Sequence, residues 1–275
     1  MKFENKIAVV TGAGGVLCSA FAKELARNGA RVMLLDINED SIRDLSIEIA
    51  KDGGVADYFA CSVLDKDSLE SAHKKILEKY GKCDILVNGA GGNNPRCTLA
   101  HEYYEEGEEA REDIKTFFNL DKEDFGFVFD LNLIGTLLPT QVFSVDMINN
   151  NGVVINVSSM NAFRPLTKIP AYSAAKGAVS NLTMWLAVHF AEAKIRVNAI
   201  APGFFVTKQN EALLFQDGKP TARTEKILRA TPMGRFGKPE ELLGTLVWLC
   251  DNDASGFVTG IFVPVDGGFS AYSGV

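Results

Sequence analysis

From residue 7 to residue 265 the chain alternates between short apolar runs and longer segments with apolar residues at helical spacing. The runs fall at 7–10, 31–35, 55–60, 84–87, 152–157, 195–200 and 261–265. The helical segments fall at 16–30, 39–51, 65–80, 122–149, from about Tyr172 through His189, and 239–250. Runs this short and continuously apolar suit strands covered on both faces. Strands that are each followed by a helix lie parallel in one sheet, with helices packed on either side. The expected fold is therefore α/β, a doubly wound parallel sheet. With 275 residues and 47% apolar content, the chain can bury one large core, so it reads as a single domain over 1–275. Two parts break the alternation: an irregular insertion at about 93–120 and a long loop region at about 204–236.

Composition narrows the partners. The formal net charge of -7 argues against nucleic acid, and no run of 18 apolar residues marks a membrane span. The start, MKFENKIAVVTG, goes almost directly into a strand without a signal-peptide layout. The five cysteines (18, 61, 83, 97 and 250) are scattered and lack C-x-x-C spacing, which suits reduced thiols in the cytoplasm and no metal site.

The first strand runs into Thr11-Gly12-Ala13-Gly14-Gly15 and then a helix that Gly29 closes. Strand, glycine-rich turn and helix form the setting of a Rossmann-type dinucleotide site, where backbone amides and the helix dipole meet a pyrophosphate. The second strand ends in Asp36, whose carboxylate can take both ribose hydroxyls and repels a 2′-phosphate. No arginine follows nearby, so the expected cofactor is NAD rather than NADP. After the fourth strand comes Asn88-Gly89-Ala90-Gly91-Gly92, at the edge where such sheets bind ligands; a plain loop remains the other reading.

A second constellation lies in INVSSMNAFRPLTKIPAYSAAK. Tyr172 and Lys176 are one helical turn apart on one face. Ser159 stands at the tip of the preceding strand. A phenol with pKa about 10 needs a nearby ammonium to exchange protons at neutral pH, and a hydroxyl can hold a reacting oxygen. The set suits alcohol/carbonyl interconversion. Asn132, in an otherwise apolar helix, also has the reading of a hydrogen-bonded core amide. The acidic stretch from Glu102 to Asp113 reads as a solvated segment or as a flap over the site.

With Thr11-Gly12, Asn88-Gly89-Ala90-Gly91, Asn132, Ser159, Tyr172, Lys176 and Pro202-Gly203 in this order, the chain resembles the short-chain dehydrogenase/reductase family from about residue 5 to 270. The resemblance implies that Tyr172 is the acid/base, that Lys176 lowers its pKa and holds the nicotinamide ribose, that Ser159 orients the reacting oxygen, and that Asn132 completes a proton relay. It implies a cofactor site of Gly12, Gly14, Gly15, Leu17, Asp36, Ser62, Val63, Asn88, Ala90, Gly91, Tyr172, Lys176, Pro202, Gly203, Phe205 and Thr207. It also implies a dimer or tetramer. The chain departs from the family pattern at Val16 and Cys18, where glycines are usual, at Ser62, where aspartate is common, and at Gly89, where asparagine is common.

The strings NGAGGNNP, LNLIGTLLPTQVF, APGFFVT and ASGFVTG are similar to the branch of that family that interconverts D-mannonate and D-fructuronate. That implies a small sugar acid as substrate. Its carboxylate needs a cation and its hydroxyls need amides. Arg96, Arg164 and Lys168 are the candidate cations; Asn93, Asn94, Asn161, Gln209 and Asn210 are the candidate polar groups. Arg96 and Asn161 stand first, beside the cofactor turn and Ser159, with Asn93, Ser159 and Tyr172 completing the expected substrate site. A gluconate-type or polyol dehydrogenase is the alternative within the family, and a catalytically silent nucleotide sensor the alternative outside enzymes.

Overall fold

The computed structural model describes residues 1–206, 214–216 and 219–274. Strands β1 (Ile7–Thr11), β2 (Arg31–Asp36), β3 (Val55–Ala60), β4 (Ile85–Asn88), β5 (Val153–Val157) and β6 (Arg196–Pro202) alternate with helices α1 (Val16–Arg27), α2 (Glu39–Lys51), α3 (Lys66–Lys79), α4 (Lys122–Phe129), α5 (Gly135–Met147) and α6 (Pro170–His189). A two-residue hairpin, β7 (Phe215–Gln216) and β8 (Lys219–Pro220), precedes α7 (Ala222–Ala230), α8 (Leu243–Cys250) and the last sheet strand, β9 (Phe262–Val265). The main sheet is seven-stranded and parallel, ordered β3-β2-β1-β4-β5-β6-β9. The expected doubly wound sheet is what the chain forms.

The period-two geometry of a strand divides each run between two cores. Ala8, Val10, Val32, Leu34, Val87 and Ile155 face Phe21 and Leu25 of α1 and Ile42 and Ile49 of α2 on one side. Val9, Met33, Leu35, Leu86, Val154 and Val197 face Leu69 and Ile76 of α3 and Phe143 and Met147 of α5 on the other. Helix starts are fixed by side chains: Asn38 caps α2, Asp65 caps α3 as its position predicts, and Asp121 caps α4. Gly29 follows α1 with φ +97°, the left-handed residue a helix end favours.

The expected single helix over 122–149 is corrected. A π turn at Asp130–Ile134 separates α4 from α5 and rotates Asn132 into the interior. Pro139 in α5, which has no N–H to give to Gly135, adds to the irregularity. Taken together, Lys122–Met147 is long and apolar enough to cross a membrane, but half of its most apolar window is buried inside the fold, as in a core helix.

The insertion is tied down rather than loose. The Leu99 amide donates to the Lys168 carbonyl, Ala100 to Lys115, and Glu102 pairs with Lys226 of α7 at 2.9 Å. Cys97, Val128 and Ala171 form a third small core on which Phe125 and Tyr172 pack. The acidic run itself is mostly exposed, with Glu108 as the buried exception beside His101.

Candidate active site

The order of strands reverses between β1 and β4, so the turns after them open a crevice at the carboxyl edge of the sheet. The two turns interlock. Thr11 Oγ1 accepts the amides of Gly89 and Ala90 at 3.1 and 3.3 Å. Gly12 has φ +64°, and a Cβ there would come within 2.7 Å of the Ala90 Cα. Gly15 begins α1, leaving the first-turn amides of that helix open to an anion. Asp36, at the end of β2, accepts the amides of Gly14 and Asn38, both at 3.0 Å, which fixes its carboxylate beside the glycine turn.

The departures at Cys18 and Gly89 explain each other. A Cβ on Gly89 would lie 2.1 Å from Cys18 Sγ, so the thiol fills the room that the glycine leaves. Burial pushes the Cys18 thiol up to about 12, and it is neutral at physiological pH.

Other expected cofactor residues fall into distinct places. Val63 is buried, and a Cβ on Gly135 would stand 2.9 Å from its Cγ2. Ser62 Oγ accepts the Leu64 amide within its own loop. Leu17 is half-buried in the first turn of α1. Asn88 turns its side chain into the protein, donating to Thr140 Oγ1 at 2.8 Å and Asn156 Oδ1 at 2.9 Å, while Asn156 donates to Thr183. This buried polar ladder links β4 and β5 to α5 and α6, and sequence reasoning missed it; the signal was an asparagine near the end of each strand. Pro202 closes β6, and Gly203 packs so closely that a Cβ would come within 2.6 Å of Asp266. Phe205 is buried against Gly237. Thr207, Gln209 and Asn210 lie outside the described residues.

Ser159, Tyr172, Lys176 and Asn132 come together where the crevice meets β5. Ser159 follows β5, is 7% exposed, and its Oγ accepts the Asn161 amide at 3.2 Å. Tyr172 sits in the first turn of α6. Lys176, 4% exposed, donates from Nζ to the Val157 carbonyl at 2.7 Å and stands 5.6 Å from the centre of the Tyr172 ring. Asn132 is fully buried; its amide clamps Gly92 from both sides, at 3.1 Å to the N–H and 2.8 Å to the carbonyl, and donates to the Val128 carbonyl at 2.7 Å. Gly91 lies between them: a Cβ there would be 2.6 Å from Asn132 Oδ1 and 3.2 Å from Lys176 Nζ.

Burial dominates the electrostatics. It pushes the Tyr172 phenol up, and the Ser159 hydroxyl pulls it part of the way back. Burial pushes Lys176 down to about 8, against the upward influence of Cys18. Here Ser159, rather than Lys176, is the neighbour that eases the phenol's ionisation.

The expected substrate residues divide. Asn161 is 4% exposed, and its Oδ1 accepts the Leu166 amide at 3.2 Å. Asn93 donates to Thr98 Oγ1, while its Oδ1 is buried without a partner. The Arg96 side chain is 75% exposed and reaches Asp124 of α4 at 3.4 Å. Arg164 is committed to the Ser270 carbonyl at 3.0 Å. Lys168 takes a left-handed φ of +71° in the loop before α6. No cluster of potential metal ligands occurs among the described residues.

A dinucleotide crevice that meets a half-buried tyrosine beside a buried lysine and serine defines an oxidoreductase of alcohols and carbonyls. The family model for enoyl-(acyl carrier protein) reductase matches residues 12–270. The chain belongs to the short-chain dehydrogenase/reductase family. It is 55% identical over 99% of its length to an uncharacterized oxidoreductase of Haemophilus influenzae, covering 95% of that relative. It is 54% identical over 98% of its length to the uncharacterized oxidoreductase UxuB of Bacillus subtilis, covering 97% of that protein. A crystal structure from Haemophilus influenzae, provisionally described as a D-mannonate oxidoreductase with bound NAD, superposes with a TM-score of 0.96 at 54% identity, over 100% of this chain and 98% of that one.

Proposed function

We propose that this oxidoreductase interconverts D-mannonate and D-fructuronate with NAD(H), in the cytoplasm. The observation that carries the chemistry is the convergence of Ser159, Tyr172 and Lys176 beside Gly91 at the mouth of the dinucleotide crevice. The glycine turn fits the cofactor because it brings the first-turn amides of α1 to the crevice, and Asp36 stands where a ribose diol needs an acceptor. Gly12, Gly14, Gly15 and Leu17 would hold the pyrophosphate, Asp36 the adenosine ribose, Ser62 and Val63 the adenine, and Asn88 with Ala90 and Gly91 the central part. Lys176 with Pro202, Gly203, Phe205 and Thr207 would hold the nicotinamide half.

When bound, NADH supplies the hydride. In the reductive direction Ser159 Oγ holds the C5 carbonyl oxygen of fructuronate. Tyr172 donates its proton to that oxygen as the alcohol forms. Ser159 eases the phenolate left behind, and Lys176, 5.6 Å from the centre of the Tyr172 ring, would hold the nicotinamide ribose. Asn132 fixes the Gly92 backbone next to the reacting group and completes the relay.

The Asn161 amide, held beside Ser159, supports a polyhydroxy substrate, since an amide can pair with hydroxyl groups. The similarity to the D-mannonate oxidoreductase structure supports the sugar-acid assignment. We also infer a homo-oligomer: α6 exposes Met184, Trp185 and Val188 along a groove of about 490 Å³, an apolar face suited to a second copy. Reduction of NAD with D-mannonate as the only alcohol tests the function. Steady turnover is expected, and no turnover with mannonate while gluconate or a polyol is oxidised would overturn the substrate assignment.

A further inference from the structure

The dinucleotide turn and the Tyr172–Lys176 group are usually treated as separate parts of a site. In this chain one side chain joins them. Cys18, in the first turn of α1, places its thiol against the backbone of Gly89, where a Cβ would meet Sγ at 2.1 Å. Gly89 has no left-handed φ, so its backbone accepts any side chain; only the thiol and the Thr11 carbonyl, at 3.0 Å, stand in the way. The next residues carry the contact onward. Ala90 is pressed under Gly12, and Gly91 lies against Asn132 Oδ1 and Lys176 Nζ. The path from thiol to ammonium is thus three consecutive residues of the loop that follows β4.

We propose that Cys18 is a positioning residue that seats the 89–91 turn, and through it sets both the cofactor cradle and the placement of Asn132 and Lys176. The role is steric. The thiol is buried and neutral, so neither redox chemistry nor metal binding is required of it. Positions 18 and 89 must then be compatible as a pair: a thiol with glycine, or a smaller residue at 18 with a side chain at 89. The inference rests on nicotinamide cofactor binding in this crevice and not on the identity of the sugar acid.

The test is a double-mutant cycle of Cys18→Ala, Gly89→Ala and the combined variant. NADH affinity is read by fluorescence titration without substrate, folding by thermal melting of the protein alone, and the pH profile of kcat with whichever carbonyl substrate the wild type turns over. Gly89→Ala forces the turn away from Cys18 and is expected to weaken NADH binding at least tenfold and to move the pH profile, because Gly91 shifts against Lys176. Cys18→Ala leaves a small gap and weakens binding by less than about fivefold. In the combined variant the new methyl lies 3.6 Å from the Cβ of residue 18, an ordinary contact, and 3.0 Å from the Thr11 carbonyl, a tight contact relieved by a shift of a few tenths of an ångström. It is expected to recover to within about threefold of wild-type affinity and to regain the wild-type pH profile. Should Gly89→Ala fail to fold, a folded combined variant with near wild-type affinity carries the same conclusion. The proposal is overturned if Gly89→Ala binds NADH normally, if the combined variant is as impaired as Gly89→Ala, or if melting recovers while affinity and pH profile do not. A substrate panel without sugar-acid turnover leaves the titration intact, so the two assignments fail separately.

Discussion

Replacing Lys176 by methionine removes a charge that the fold holds at a cost. Lys176 is 4% exposed and its pKa falls to about 8 from the usual 10.5, with burial as the main cause. Below about pH 8 both folded and unfolded chains carry the proton, and the folded chain bears the full penalty of a buried ammonium. Between about pH 8 and 10.5 the folded chain has released its proton while the unfolded chain still holds one, so wild-type stability rises with pH through that window. That depression corresponds to about 3 kcal/mol at pH 7, shrinking to about 1 kcal/mol at pH 9.5. Methionine of similar length escapes that penalty but leaves the Val157 carbonyl without its 2.7 Å donor, which costs about 1–3 kcal/mol. The variant is therefore expected to lose turnover yet to be as stable as wild type, or up to about 2 kcal/mol more stable, at pH 7. Its advantage over wild type should fall by about 2 kcal/mol between pH 7 and 9.5. Urea unfolding of both proteins across that range measures it. A stability difference that does not change with pH, or that grows, would refute the claim that burial depresses Lys176.

Three further outcomes follow from the same geometry. Tyr172→Phe should lower kcat by about 10²–10⁴-fold with NADH binding, read by fluorescence, largely intact; more than a few per cent residual activity would remove Tyr172 from the proton's path. Asp36→Ala should weaken NAD by about tenfold or more and NADP less, and an unchanged ratio of the two dissociation constants would place the preference elsewhere. Arg96→Ala should change KM for D-fructuronate less than about twofold, since its guanidinium lies outside with Asp124; a tenfold rise would restore it to the substrate site.

What the sequence made legible depended on how local the cause was. The bounds of α2 agree with the apolar period because Ile42, Leu45 and Ile49 bury one face along the helix. Asp65 was visible as a cap, and the Tyr172–Lys176 pair as neighbours, because both depend on spacing within one helix. The π turn was not visible. It exists so that Asn132 can grip Gly92, forty residues earlier in the chain, and periodicity carries no trace of such a bond. Cys18 and Gly89 read as two separate departures until the fold placed the thiol on the glycine. Arg96 adjoins the cofactor turn in the sequence, yet its side chain is 75% exposed and pairs with Asp124 of another element, a partner that spacing does not reveal. Asn161 stands by Ser159 because its backbone is held to the Ser159 hydroxyl two residues away.

The most direct measurement of the central claim is NADH oxidation by the purified protein with D-fructuronate, beside 5-ketogluconate, fructose and tagaturonate. The account predicts kcat/KM for fructuronate at least tenfold above each of the others, and loss of that turnover in Tyr172→Phe. Preference for a different ketose would contradict the sugar-acid assignment while leaving the fold and the Tyr172 chemistry in place. No oxidation with any carbonyl compound would contradict the account of this crevice as an active site.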